Sequence, residues 1–149
     1  MTTQPFVSII VPVYNNPAGI DLLLSKLVRQ TYDPKRYEVI VADNGSQDET
    51  LQVVLGYTEH YRALVNVVVE SDTQGSYAAR NKGISVAKGE IYAFIDSDCD
   101  PTVEWIERGI AQMHEFSATA GGGSIEFTFK GQTPNIYEYL DSALDAPYS

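Results

Sequence analysis

The alternation of short apolar runs with helical segments limits what this chain can fold into more than any other feature. The runs are rich in β-branched residues and are predicted strands: Val7–Val13, Tyr37–Ala42, Val65–Val69 and Ile91–Ile95. Each run is followed by a segment with helical spacing or helix-start residues. This strand–helix alternation predicts an α/β domain of three layers around a mostly parallel central sheet.

The expected helices are defined by their caps and apolar faces. In the first, Asn16 caps and Pro17 takes the first position, and the inward face is Ile20, Leu23, Leu24, Leu27 and Val28. The second is expected to start at Ser46, which stands in capping-box spacing with Glu49, and to bury Leu51, Val54 and Leu55. The third and fourth are predicted at about Ser76–Ala87 and, behind a Thr102 cap, Val103–Glu115.

An acidic cluster follows the fourth apolar run. Asp96, Asp98 and Asp100 come directly after Ile91–Ile95, whose unbroken apolar character predicts a strand buried on both faces. Carboxylates this close repel one another, and the nearest basic residues in the sequence are Lys88 and Arg108. A divalent cation held by oxygen ligands, Mg²⁺ or Mn²⁺, would relieve that repulsion. The alternative interpretation is a solvated acidic turn in which Asp100 caps the next helix.

Polar groups also follow the first two strands, and parallel neighbours would bring all three strand ends to one edge of the sheet. The Tyr14 ring can stack on a base, and the Asp43 carboxylate can accept a hydrogen bond from a ligand. Ordinary loop and turn roles remain open for both residues. Further along, Gly75 precedes a helix start, and Arg80 one turn later can reach a phosphate, or instead pair with an acid such as Asp72.

Composition excludes several classes of function. The net charge of −10 argues against a general nucleic-acid binder. The single cysteine, Cys99, allows no intrachain disulfide, and with two histidines it makes no zinc motif. The N-terminus does not resemble a signal peptide, and no stretch approaches the ~18 apolar residues of a membrane span. The expected location is therefore the cytoplasm, with peripheral attachment to a membrane left open.

Other site motifs are absent or incomplete. The sequence has no P-loop, and Tyr14-Asn15-Asn16-Pro17 after the first strand is not a dinucleotide fingerprint. Aspartate-nucleophile phosphatases also use a strand ending in D-x-D, but their pattern requires Thr or Val where Asp100 stands.

Near the C-terminus, Ser124–Phe129 is a predicted strand and Asn135–Leu144 a predicted helix. The whole of residues 1–149 is expected to be one domain, cut short at its C-terminus.

Four stretches, in order, resemble the family 2 glycosyltransferases. They are Val7–Asn16 (VSIIVPVYNN), Val41–Thr50 (VADNGSQDET), Gly75–Gly83 (GSYAARNKG) and Phe94–Asp98 (FIDSD). The resemblance implies a GT-A (Rossmann-like) fold and a nucleotide-diphosphate sugar donor, with a UDP-sugar favoured, whose anomeric centre is inverted.

The resemblance also implies site residues. Pro12 and Tyr14 would line the base pocket, and Asp43 would hydrogen-bond the base or ribose. Arg80 would face the base or diphosphate, Asp96 would sit by the ribose and metal, and Asp98 would be the main ligand of Mn²⁺ or Mg²⁺. The metal would neutralise the diphosphate leaving group.

The catalytic base is not identified. Inverting members use a carboxylate for it, usually in a Glu-Asp pair well after the D-x-D, and none follows Asp100; Glu138 and Asp141 are candidates by composition only. We therefore expect the donor-binding part of a longer enzyme, with a sugar, lipid or protein acceptor left open. The alternatives are a catalytically incomplete nucleotide-sugar-binding module and, less favoured, a sugar nucleotidyltransferase, which would need a phosphate loop after the first strand.

Overall fold

The computed structural model describes residues 4–122, in which strands and helices alternate. The strands are β1 (Val7–Val13), β2 (Tyr37–Asp43), β3 (Val65–Val69) and β4 (Ile91–Phe94). The helices are α1 (Pro17–Leu27), α2 (Thr50–His60), α3 (Ser76–Val86) and α4 (Trp105–Glu115). The strands form one parallel sheet in the order β3-β2-β1-β4, and the described residues up to Ala118 make one compact unit. The predicted α/β class and parallel sheet are confirmed.

The central strand β1 is fully buried and divides the core into two sides. Its odd-numbered residues face a cluster to which α1, α2 and α4 contribute: Val7, Ile9, Val11, Val13, Ile20, Leu23, Leu24, Leu27, Val54, Ile106 and Ile110. Ile10 points to the other side, where α3 packs. Successive residues of a strand face opposite sides of a sheet, so these contacts give the three predicted layers.

Helix α3 lies close to the sheet because small residues face it. Ala78, Ala79 and Gly83 are its buried positions, as their size predicts. A Cβ added at Gly83 would lie 2.7 Å from the Cγ2 of Ile10. The close approach therefore depends on glycine at this position.

The fourth strand differs from its prediction. β4 was expected to be buried on both faces, but Tyr92 and Phe94 are 44% and 46% exposed. Two causes are visible: β4 lies at the edge of the described sheet, and α3 packs on β1, β2 and β3. An apolar run alone does not distinguish a central strand from an edge strand whose second face is uncovered.

Two helix starts were also predicted too early. The second helix begins at Thr50 and not at Ser46, whose hydroxyl accepts a hydrogen bond from the Asn15 amide at 2.9 Å. On this helix Val54 is buried as predicted, whereas Leu55 is 45% exposed. α4 begins at Trp105, two residues after the predicted start at Val103. In contrast, Asn16 caps α1 as predicted, accepting from the Gly19 amide at 3.1 Å.

The predicted strand Ser124–Phe129 and helix Asn135–Leu144 lie outside the described residues, as do Glu126, Glu138 and Asp141. Among the helices of residues 4–122, none has the length and apolar character needed to cross a membrane.

Candidate functional site

A cleft of about 310 Å³ opens at the carboxyl ends of β1, β2 and β4. These three strands are parallel neighbours, which confirms that their polar ends lie along one edge. The cleft is lined by Pro12, Val13, Tyr14, Asn16, Asn44, Ser76, Ala79, Arg80, Asp96, Ser97 and Asp98. Of the sequence-predicted site residues, Pro12, Tyr14, Arg80, Asp96 and Asp98 are thus brought together. Asp43 lies at the end of β2 beside the lining residue Asn44.

The loops that border the cleft are joined by Asn15 and Asn16. Asn15 has a φ of 47°, a left-handed conformation that asparagine tolerates better than most residues. In that conformation its amide donates to Ser46 and its side-chain oxygen accepts from the Gln47 amide at 2.8 Å. The Asn16 side chain caps α1 and also donates to the Ser97 hydroxyl at 3.2 Å. One loop therefore fixes the ends of both β2 and β4.

Asp43 is buried, with 1% of its surface exposed, and its two oxygens differ. Oδ2 accepts hydrogen bonds from the amides of Gly45, at 3.1 Å, and Ser46, at 3.0 Å. Oδ1 has no hydrogen-bond partner among the described residues, although it is shielded from solvent. A buried acceptor in this state costs about 1–3 kcal/mol. The turn role considered for Asp43 thus accounts for one oxygen and leaves the other unexplained.

Arg80 projects from the first part of α3 to the end of β4. Its Nη2 lies 2.6 Å from Asp96 Oδ1, and its Nη1 donates to the Ser76 hydroxyl at 3.2 Å. The partner is therefore Asp96 and not the Asp72 considered from sequence. The acidic cluster also has a second cation, because Lys26 lies 3.6 Å from Asp100. The nearest basic residues in the sequence, Lys88 and Arg108, form neither of these ion pairs, because both partners come from other parts of the chain.

Asp98 is the third charged residue that lines the cleft, after Arg80 and Asp96. In the part of the chain that the structure describes, its carboxylate takes part in no ion pair. Nor does that part hold three or more His, Cys, Asp or Glu side chains grouped to bind a metal ion. Mg²⁺-type sites commonly use one or two carboxylates and complete the shell with water and substrate phosphates. Asp96 and Asp98 fit that kind of site and do not fit a metal held by protein ligands alone.

The Cys99 thiol, next to Asp98, is not suited to act as a nucleophile. Burial raises the pKa of its thiol, and the neighbouring Asp98 and Asp96 carboxylates raise it further. A thiol in this environment stays protonated at neutral pH and is inert.

Four polar lining residues were not selected as site residues from the sequence: Asn16, Asn44, Ser76 and Ser97. Asn16 was interpreted as a helix cap and Asn44 as part of a turn, and both belong to the polar groups that follow the first two strands. Asn44 directly follows Asp43 and Asn16 lies two positions after Tyr14, so position beside a strand end was the one usable indication. The Asn16 side chain also bonds Ser97, 81 positions away, and the Asn44 side chain bonds Glu70, 26 positions away, which no local pattern reveals.

A parallel α/β sheet with two carboxylates just after β4 and a guanidinium from α3 at its carboxyl edge is the arrangement of a GT-A domain. The chain belongs to glycosyl transferase family 2, whose profile it matches over residues 8–146. Glycosyltransferase AglE of Haloferax volcanii is 44% identical over 128 residues, which are 86% of this chain and 42% of that relative. The chain thus spans less than half the length of this relative.

Solved glycosyltransferase structures share the fold. The Staphylococcus aureus TarS 1–349 complex with UDP-GlcNAc superposes with a TM-score of 0.65 and 30% identity, covering 85% of this chain and 38% of TarS 1–349. The Pyrobaculum calidifontis mannosyltransferase PcManGT, in complex with GDP-Man and Mn²⁺, gives a TM-score of 0.61 and 33% identity. The match covers 65% of this chain and 28% of the mannosyltransferase chain. The expected GT-A fold is confirmed.

Proposed function

We propose that this chain binds a nucleotide-diphosphate sugar, preferably a UDP-sugar, together with a divalent cation, as the donor part of an inverting glycosyltransferase. The observation that carries the proposal is the convergence of Arg80, Asp96 and Asp98 in one cleft beside the exposed ring of Tyr14. A diphosphate needs a cation from the protein, and a metal needs carboxylates. The cleft supplies both, with Arg80 hydrogen-bonded to Asp96 and Asp98 close by.

Each side chain has a role that its surroundings support. Tyr14 is 49% exposed and lines the cleft together with Pro12, so its ring is available to stack on a base. Arg80 is oriented by Ser76 and Asp96 and keeps further N–H donors that can reach a phosphate oxygen. Asp98 would be the main metal ligand, with Asp96 between the metal and the ribose. A bound divalent cation would neutralise charge that develops on the departing diphosphate.

The free oxygen of Asp43 supports uracil as the base. Because Oδ2 already accepts two backbone amides, Asp43 offers a ligand one acceptor, Oδ1. Uracil and thymine present a single ring N–H, whereas guanine presents two adjacent donors and would leave one unpaired. An unpaired donor costs about 1–3 kcal/mol, or about 5- to 150-fold in affinity. Since Oδ1 is shielded from solvent, the base must displace the atoms that cover it.

The proposal is tested by titrating the 149-residue chain with UDP, TDP and GDP, with and without Mn²⁺, in a calorimeter. We expect Mn²⁺-dependent binding of UDP or TDP, with GDP weaker. Asp98→Asn should abolish the dependence on Mn²⁺. The matched control is Asp33→Asn, which lies before β2 at the opposite end of the sheet, where the asparagine oxygen can still accept from the Lys35 amide. Equal Mn²⁺ dependence in both variants would show that Asp98 is not the metal ligand.

A second candidate is a module that binds the donor without performing transfer. The carboxylates that line the cleft are Asp96 and Asp98, both assigned here to the donor and metal, so the described lining offers no further carboxylate as a base. An activity assay with sugar, lipid and protein acceptors distinguishes the two functions. Release of UDP from a UDP-sugar that depends on an acceptor excludes the binding module, whereas tight donor binding without turnover across acceptor classes supports it.

A further inference from the structure

Asn44 joins the end of β2 to the loop that precedes α3. Asn44 is buried, with 3% of its surface exposed, and its Nδ2 donates to the carbonyl oxygens of Glu70, at 2.8 Å, and Thr73, at 2.9 Å. Its Oδ1 accepts from the Gly75 amide at 2.8 Å. These three bonds use both amide protons and the side-chain acceptor. The backbone carbonyl of Asn44 also accepts from the Gln74 side chain at 2.6 Å.

The loop held in this way leads directly into the helix that carries Arg80. Gly75 caps α3 with a φ of 134°, a conformation that favours glycine, and its carbonyl accepts from the amides of Ala78 and Ala79. The buried face of α3 consists of two alanines and a glycine, which fit the sheet closely but add little apolar area. The start of α3 therefore depends on Asn44 for its position, and Arg80 lies just over one turn further on.

We propose that Asn44 is a positioning residue that sets the location of Arg80 for diphosphate binding through the start of α3. This inference rests on the proposed function for its effect on nucleotide affinity. Its structural part, that Asn44 fixes the first turn of α3, stands without it. This role differs from general stabilisation of the fold, because Asn44 affects the Arg80 side chain specifically, through the first turn of α3.

The first experiment measures hydrogen exchange of the 149-residue chain without any ligand. Asn44→Ala should speed exchange of the Ala78 and Ala79 amides at least tenfold while the β1 amides change little. The matched control is Asn66→Ala, which removes an exposed amide side chain from β3 and should leave α3 unchanged. Unchanged protection of Ala78 and Ala79 in Asn44→Ala would overturn the proposal, whether or not the chain binds a nucleotide.

The second experiment is a double-mutant cycle on UDP affinity with Mn²⁺. Asn44→Ala should weaken binding about tenfold in the wild-type background, the size of one charge-assisted hydrogen bond. In an Arg80→Ala background it should change affinity less than twofold, because its effect passes through Arg80. A full tenfold loss in both backgrounds would contradict the proposal.

If Asn44→Ala does not fold, Gln74→Ala replaces it in both experiments. That variant removes one hydrogen bond to the Asn44 carbonyl and leaves the Asn44 side chain in place, so smaller changes in the same direction are expected. Absence of UDP binding by the wild-type chain removes the nucleotide cycle and counts against the proposed function, while the exchange measurement still decides the role of Asn44.

Discussion

Replacing Gly83 by alanine tests whether the close packing of α3 on β1 is as tight as the structure indicates. The added methyl carbon would lie 2.7 Å from the Cγ2 of Ile10, whereas carbon atoms in contact prefer about 3.5–4.0 Å. Ile10 is fully buried and β-branched, so its methyl group has no easy rotation away from the clash. The helix must therefore move from the sheet by about 1 Å, or the strand must distort.

The expected magnitude is the difference between two opposing terms. Alanine in a helix interior is more favourable than glycine by about 1 kcal/mol. Overpacking a buried site costs about 1–3 kcal/mol. Gly56→Ala isolates the first term, because Gly56 lies inside α2 and its added Cβ meets nothing within 4 Å. Gly56→Ala should raise the free energy of unfolding by about 1 kcal/mol, and Gly83→Ala should be about 1–3 kcal/mol less stable than that variant.

Urea and thermal unfolding of the two variants provide the measurement. For a chain of this size, the gain in Gly56→Ala corresponds to a rise in Tm of about 2–4 °C. Gly83 lies three residues after Arg80, so displacement of α3 should also weaken UDP binding in Gly83→Ala and leave it unchanged in Gly56→Ala. Equal stabilisation by both substitutions would refute the packing argument.

Two further predictions concern side-chain hydrogen bonds. Burial, followed by the hydrogen bond to Asp21, raises the pKa of Tyr57 to about 12, above its ordinary value of 10.0, so its stabilisation is complete below pH 10 and lost as the pH rises toward 12. The free energy of unfolding, measured over that pH range, should fall less steeply with pH in Tyr57→Phe than in the wild type. Ser8→Ala removes a donor to the buried Glu38 carboxylate, at 2.7 Å, and should cost about 1–3 kcal/mol in chemical unfolding. Ser85→Ala, at an exposed hydroxyl, should change stability by less than about 0.5 kcal/mol.

The parts of the fold that sequence predicted are those fixed by local chemistry. β1 and β3 have the bounds expected from their β-branched runs, and α1 follows its Asn16 cap and apolar spacing. The parts that failed depend on partners elsewhere in the chain. Ser46 has the spacing of a helix cap, but its hydroxyl is taken by the Asn15 amide. The exposed face of β4 follows from sheet order, which local pattern does not encode.

The candidate site divides in the same way. Asp96 and Asp98 were found because their spacing after an apolar run is visible in one stretch. The ion pair between Asp96 and Arg80 was not predicted, because 16 positions and the strand β4 separate the two residues in the sequence. Asn44 is the clearest case: its three side-chain bonds reach residues 26 to 31 positions away, and the sequence shows only an ordinary turn.

The charges of the cleft lead to the conclusion that donor and metal should bind together. Among the lining residues, Arg80 offsets Asp96, and Asp98 remains without an ion pair in the described chain. A cation alone would meet one uncompensated carboxylate, and a diphosphate alone would meet a cleft with one net negative charge. Together, the diphosphate provides the oxygens that complete the metal shell, and the metal offsets the repulsion. By linkage, Mn²⁺ must raise UDP affinity by the factor by which UDP raises Mn²⁺ affinity. Titrations in both orders should therefore give one coupling factor, greater than tenfold, and two independent affinities would contradict a shared site.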